Sequence, residues 1–253
     1  MNRPLLVPTF RGALAAAIVA AAAQAAPAAP VGAAFTALER PALQVRRPER
    51  AVLQSAALAG ARIVAVGERG VVALSDDGGR SWRQATGVPV SVTLTALHFV
   101  DERQGWAVGH GGVILHTSDG GEHWSLLADG RTLARVALAA AQTRADAAPA
   151  DAAAARQLQS VRQPVDEGPD KPLLDLCFTD AQHGFVVGAY GLFFETHDGG
   201  RTWTSAMERL DNPKSLHLYA IRIKGSTMYI AGEQGQLHRS TDGGRSFSAL
   251  ASP

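Results

Sequence analysis

One eight-residue pattern occurs four times in this 253-residue chain. The copies are Ser75-Asp76-Asp77-Gly78-Gly79-Arg80-Ser81-Trp82, Thr117-Ser118-Asp119-Gly120-Gly121-Glu122-His123-Trp124, Thr196-His197-Asp198-Gly199-Gly200-Arg201-Thr202-Trp203 and Ser240-Thr241-Asp242-Gly243-Gly244-Arg245-Ser246-Phe247. Such repetition restricts a chain to architectures assembled from copies of one supersecondary unit. The match extends upstream, because ten residues before each box aspartate stands a glycine (Gly67, Gly109, Gly188, Gly232), followed three residues later by another (Gly70, Gly112, Gly191, Gly235). Short apolar or alternating runs at 63–66, 105–108, 185–187 and 228–231 lie before these glycines, and further runs such as Val113-Ile114-Leu115 lie between the second glycine and the box. With an earlier strand such as 95–100 opening each unit, the unit reads as a four-stranded antiparallel meander with glycine turns.

The box aspartates are 42, 79 and 44 residues apart, and the long interval carries 37 extra residues between Trp124 and Leu176. Removing them restores a period of 42. Four-stranded units of about 40 residues are blades of a β-propeller, so the expected fold is all-β: about four blades over 51–253, interrupted by an insert at 130–172. The box itself has a mechanical reading. Its carboxylate accepts backbone N–H groups further along the turn, two glycines permit positive φ, and the aromatic ring packs beneath. Asp77, Gly79 and Trp82 are therefore expected to be structural, as are Asp119, Gly121 and Trp124, Asp198, Gly200 and Trp203, and Asp242, Gly244 and Phe247. A catalytic residue is seldom needed in four copies.

These boxes resemble the Asp-box, or bacterial-neuraminidase, repeat of sialidases and several unrelated propellers. The longer pattern, Trp106-Ala107-Val108-Gly109 followed by Gly112-Val113-Ile114 and the box, more closely resembles the photosystem II assembly and stability factor-like family, including its exported relatives in non-photosynthetic bacteria. That resemblance spans about residues 51–253 and implies a seven-bladed ring, whereas the repeat accounts for about four blades. The chain is then either a truncated product or an open arc that needs a partner, and the end at Ala251-Ser252-Pro253, soon after the fourth box, favours truncation.

The insert changes character. Stretches 132–148 and 150–162 are Ala-rich, and Pro149 and Pro164 bracket the second, which predicts two helices followed by a polar linker at 165–172. Leu133, Val136, Ala137 and Ala140 fall at helical spacing. The insert is either an embellishment packed on the propeller or a docking element. It follows the last strand of its blade, so it shares a face with the turns between second and third strands. Loops on a repeating scaffold are where recognition is built, which makes Arg69, His110, Tyr190 and Gln234 the partner-binding candidates.

Other classes are excluded or demoted. Lys plus Arg (24) nearly balances Asp plus Glu (23), so no general attraction to nucleic acid is expected. Cys177 is the single cysteine and lies in an apolar run, the setting of a buried strand thiol. Arg3 and Arg11, the apolar run 12–23 and Ala23-Gln24-Ala25 read as a signal peptide over 1–25, joined by a linker at 26–50. The apolar run is well short of the roughly 20 residues that span a bilayer, so export is expected rather than anchoring. The sialidase resemblance implies an Arg-Ile-Pro motif, an arginine cluster and a tyrosine nucleophile paired with a glutamate. No Arg-Ile-Pro occurs, Arg40-Pro41 and Arg47-Pro48 precede the first blade, and of the available Tyr190, Tyr219 and Tyr229 the last two lie within predicted strands with no visible glutamate partner. The eight histidines are scattered without a helical His-x-x-x-His pair, so no metal site is expected, and no cofactor or small-molecule substrate either. The expected role is a non-catalytic, exported assembly or accessory factor for a membrane or envelope protein complex, periplasmic, or lumenal in a photosynthetic host. The alternative is a glycan-binding or sialidase-like glycoside hydrolase module.

Overall fold

The structure, a computed structural model, describes residues 36–168 and 170–250. The signal read at 1–25, the first part of the linker and the terminal Ala251-Ser252-Pro253 lie outside the described residues. Among the described residues sixteen strands form four antiparallel four-stranded sheets, each in sequence order. Blade 1 comprises β1 (Leu53–Ala59), β2 (Arg62–Gly67), β3 (Val72–Ser75) and β4 (Arg83–Gln84). Blade 2 comprises β5 (Leu94–Phe99), β6 (Gly105–Gly109), β7 (Ile114–Thr117) and β8 (Ser125–Ala128). Blade 3 holds β9 (Leu173–Phe178), β10 (Gly184–Gly188), β11 (Phe193–Thr196) and β12 (Thr204–Ser205), and blade 4 holds β13 (Leu218–Lys224), β14 (Thr227–Gly232), β15 (Leu237–Ser240) and β16 (Ser248–Ala249). This is the propeller architecture that the period of about 42 residues dictates.

Successive blades pack face to face, which is why the middle strands of blades 2 and 3 read as continuous apolar runs: every residue of β6 and of β10 is buried. Val64, Leu74, Leu97, Leu115 and Trp124 fill the first interface. In the second, Trp106 and Phe178 stack at 3.8 Å. Phe185, Phe193, Ile221 and Ile230 fill the third, with Cys177 beside them, where burial pushes the thiol pKa up. The second, third and fourth boxes are also tied to the unit before them. Arg62 Nη1 donates to the Gly120 carbonyl (3.2 Å), Trp106 Nε1 to that of Gly199 (2.9 Å) and Arg209 Nη1 to that of Gly244 (3.0 Å). Among the described residues the first box has no such neighbour, and space around Gly78 is open.

The first glycine of each turn is required by close approach. A Cβ on Gly67 would lie 2.1 Å from the Val52 carbonyl oxygen, and one on Gly109 2.3 Å from that of Thr93. Residues 36–50, assigned to a linker by sequence, pack against blade 1. The short helix α1 (Thr36–Glu39) buries Leu38, and Ala42 N–H donates to the Val88 carbonyl at 3.0 Å.

The insert folds as α2 (Gly130–Ala147) and α3 (Ala152–Glu167). Asp129 caps α2 by accepting the Thr132 N–H at 3.1 Å. Leu133, Ala137 and Ala141, one stripe at a spacing of four, are buried in the core shared by blades 2 and 3, together with Val161 of α3. Helix α3 continues past Pro164, where the sequence predicted a linker. A proline there removes a single backbone donor, and Val161 anchors the preceding turn.

Candidate functional site

The turns joining second to third strands all emerge on one face. Each is a single 3-10 turn: Glu68–Gly70, His110–Gly112, Ala189–Gly191 and Glu233–Gly235. Their central residues are left-handed, Arg69 at φ 54°, Gly111 at 69°, Tyr190 at 55° and Gln234 at 58°. Glycine adopts this conformation freely, yet three of the four turns place a large side chain there, each at a backbone cost of about 1 kcal/mol or more. Arg69, His110 and Gln234 are exposed at their turns. The insert starts on the same face, with the Gly130 backbone packed so closely on Gly112 that a Cβ there would meet its Cα at 2.7 Å.

Of the four candidates, Tyr190 is the one that lines a groove. It is 50% exposed, at the rim of a cleft of about 340 Å³ between α3 and the loop after β12. Arg144, Arg156 and Gln157 line one wall; Asn212 and Ser215 line the other. The Tyr190 N–H donates to His217 Nδ1 at 3.1 Å, which assigns the imidazole proton to Nε2. The two rings meet at 4.9 Å, and Lys171 Nζ lies 4.9 Å from the tyrosine ring centre, within cation–π reach. The His217 N–H in turn donates to Glu233 Oε2 (3.2 Å), linking the blade 3 turn to that of blade 4. Asn212 braces the loop by accepting the Leu216 N–H and donating to the Leu216 carbonyl, both at 2.9 Å. The groove thus sets an aromatic ring among basic side chains, with Arg144 paired to Asp151 at 3.3 Å and Lys171 to Asp170 at 2.8 Å, and acidic ones, Glu208 and Asp211, a mixed-charge surface suited to an extended polypeptide segment.

Sequence reasoning missed His217, Lys171, Arg144, Arg156 and Asn212. The available signal was the connection from Trp203 to Leu218, three residues longer than that from Trp82 to Leu94. Tyr219 and Tyr229 are exposed on blade 4, where Tyr229 faces Arg239 at 6.0 Å.

The boxes occupy the opposite end. Asp198 Oδ1 accepts the Thr202 N–H at 2.9 Å and Oδ2 the Thr202 hydroxyl at 2.6 Å; Asp77 is bonded in the same way by Ser81. Asp119 and Asp242 each accept two successive backbone N–H groups at 3.0–3.1 Å. Hydrogen bonds from the Ser81 and Thr202 side chains, then from their N–H groups, lower the Asp77 and Asp198 pKa values to about 2. The Trp82, Trp124 and Trp203 indoles close their turns by donating to Gly79, Gly121 and Gly200. Phe247, whose ring carries no N–H, packs edge-on against Phe193. The opening Ser or Thr hydroxyl accepts the N–H of the second box glycine and donates to the aspartate in all four copies.

Residues 59–134 and 150–252 match the family described as Photosynthesis system II assembly factor YCF48. A Photosystem II assembly lipoprotein Ycf48 of Synechococcus sp. (strain CC9902) is 40% identical over 77 residues, which cover 30% of this chain and 23% of that protein. The chain thus spans less than a quarter of the length of the curated relatives it matches, and these are named as assembly factors, not enzymes. Among solved structures, YCF48 from Cyanidioschyzon merolae aligns with a TM-score of 0.53 at 16% identity, over 83% of this chain and 60% of that one. An ancestral GH74 enzyme also aligns at 0.53, with 15% identity, over 85% of this chain and 25% of the other. At such identities both likenesses concern the propeller fold alone.

Proposed function

Because the chain belongs to the photosynthesis system II assembly factor YCF48 family, we propose that it is an exported, non-catalytic β-propeller that assists assembly of a membrane or envelope protein complex. The observation that carries this reading is the groove beside Tyr190, where an exposed left-handed tyrosine stands among basic side chains (Lys171, Arg144, Arg156) and acidic ones (Glu208, Asp211). Strain of this kind clusters at binding and catalytic positions. Arg69, His110 and Gln234 extend the contact surface across the same face, and the four Asp boxes hold the blades from the far end. Export rests on the pattern of residues 1–25, and the curated relatives are named as lipoproteins of photosynthetic bacteria. The curated relatives are named as assembly factors, and the likeness to a GH74 enzyme at 15% identity concerns the fold alone, which weighs against the glycoside hydrolase alternative.

The test is capture of a partner from detergent-solubilised envelope. Deleting the insert is a poor variant, because Leu133, Ala137 and Ala141 are core residues. The groove is probed instead with Tyr190→Ala combined with Arg156→Glu, and the opposite end with Arg80→Glu combined with Arg201→Glu. Loss of the partner in the first variant and retention in the second is expected. Loss confined to the second would move the contact surface to the boxes. Binding on a glycan array, or turnover of a fluorogenic sialoside, would favour the alternative.

A further inference from the structure

At the box end of blade 3, three side chains converge that lie apart in the sequence. His183 Nε2 is 2.8 Å and His197 Nε2 3.3 Å from the same atom, Glu195 Oε1. The two imidazoles are nearly parallel, with centres 4.6 Å apart and planes at 19°. All three donor atoms lie within 4.8 Å of one another. Among the described residues no other set of three histidine, cysteine or carboxylate groups has this proximity.

The place is built into every blade, but its occupants differ. It comprises the residue five before the first turn glycine, the third residue before the box aspartate and the residue just before that aspartate. In blade 1 these are Arg62, Leu74 and Asp76, with a 2.6 Å ion pair between Arg62 and Asp76. In blade 2 they are Gln104, His116 and Ser118, with a 2.8 Å contact between His116 and Gln104. In blade 4 they are Thr227, Arg239 and Thr241. Blade 3 alone supplies two imidazoles and a carboxylate there. The backbone repeat therefore brings the positions together, and the side chains decide whether they can bind anything.

We propose that His183, Glu195 and His197 form a site for a divalent transition-metal ion, with Zn2+ as the best-fitting ion. Two nitrogen donors and one oxygen donor suit Zn2+ or Cu2+ and disfavour Mg2+ and Ca2+, which take oxygen ligands. In a tetrahedral site with ligand bonds of about 2.0–2.1 Å, neighbouring donors are roughly 3.3 Å apart. The His197–Glu195 distance already has that value, the His183–Glu195 pair must open by about half an ångström, and the two imidazole nitrogens must draw together. His197 is 66% exposed and free to make that adjustment, which also leaves a fourth position for water or a partner's side chain.

The surroundings hold the ligands in place. Glu195 is 5% exposed and its other oxygen, Oε2, is held by Arg209 Nη1 at 2.7 Å, so the carboxylate is oriented with Oε1 towards the histidines. Arg209 is itself fixed by its bond to the Gly244 carbonyl. The His183 backbone is pinned from both sides, its N–H donating to Asp180 Oδ1 at 2.9 Å and its carbonyl accepting the Thr179 N–H at 2.9 Å. A bound ion would staple the turn between β9 and β10 to the third Asp box.

The test uses the full chain without a histidine tag. Zn2+ titration by calorimetry should give one site per chain, and added Zn2+ should raise the melting temperature, because the ion binds the folded state. His197→Ala and His183→Ala should each weaken Zn2+ by about 100-fold or more, at least the loss that follows when a supporting residue is removed. Both variants should retain the fold by circular dichroism, and His110→Ala, on the opposite face, should bind as wild type. Co2+ should give the intense visible absorption of a four-coordinate site in wild type but not in His197→Ala. Equal Zn2+ affinity in wild type and both histidine variants, or no binding at all, would overturn the proposal.

Discussion

Thr196→Val isolates what the opening residue of an Asp box contributes. The Thr196 hydroxyl accepts the Gly200 N–H at 2.8 Å and the Asp198 N–H at 3.3 Å, and donates to Asp198 Oδ1 at 2.9 Å. Valine keeps the shape and the β-branch that suits a strand, so little but hydrogen bonding is lost. Asp198 keeps its two bonds to Thr202 and is half-exposed, so water offsets most of its loss. Gly200 is buried against Leu127 and Trp203, where water cannot reach its N–H. An unpaired buried donor costs about 1–3 kcal/mol, and about 2 kcal/mol is expected here. For a domain of this size that is a fall of roughly 4–8 °C in melting temperature. Ser75→Ala deletes the same bond in blade 1, but Gly79 is half-exposed because, among the described residues, no neighbouring blade covers it, and water can replace the hydroxyl. Its cost should stay below about 1 kcal/mol. Urea unfolding of both variants provides the comparison. Equal destabilisation would refute the argument that the covering blade, rather than the box itself, sets the cost.

Stability should be level above about pH 4 and fall as pH drops towards 2, because the unfolded aspartate titrates near 3.9 and folded Asp77 and Asp198 near 2. Depressed carboxyl pKa values stabilise the fold above the unfolded pKa and lose that contribution on acidification, so Asp77→Asn with Asp198→Asn should flatten the acid limb of a melting-temperature profile. Leu133→Ala, at a fully buried position of α2, should cost about 2–5 kcal/mol in chemical denaturation; a neutral result would reduce the insert to decoration. Gln234→Gly relieves a left-handed side chain at φ 58° and, after the entropy cost of glycine, should stabilise by about 0.5 kcal/mol; a clear loss of stability by calorimetry would mean that the Gln234 side chain makes contacts that matter.

The fold was legible because everything that encodes a blade is local and recurs. Glycines ten and seven residues before the box aspartate, the alternating runs between them and the box itself specify four strands and three turns within about 40 residues. The family likeness followed from the same residues. Helix α3 was misjudged at its end, since Pro164 is a local stop signal and the packing of Val161 that outweighs it is tertiary. Residues 36–50 looked like linker for the same reason: Leu38 and Ala42 acquire a role only when blade 1 offers them a surface. The groove depends on Tyr190, His217 and Arg156 arriving from blade 3, the connection to blade 4 and α3, and no short-range pattern relates them. Histidines that look scattered in the chain also become a cluster at blade 3, because antiparallel pairing sets the residue before β10 beside the end of β11. The repeating backbone is readable from the residues alone, because its ladder hydrogen bonds lie within one unit. Tertiary structure decided which box is covered, which turn lines a groove and which blade gathers metal-binding side chains, because each depends on contacts between units that the repeat leaves free to vary.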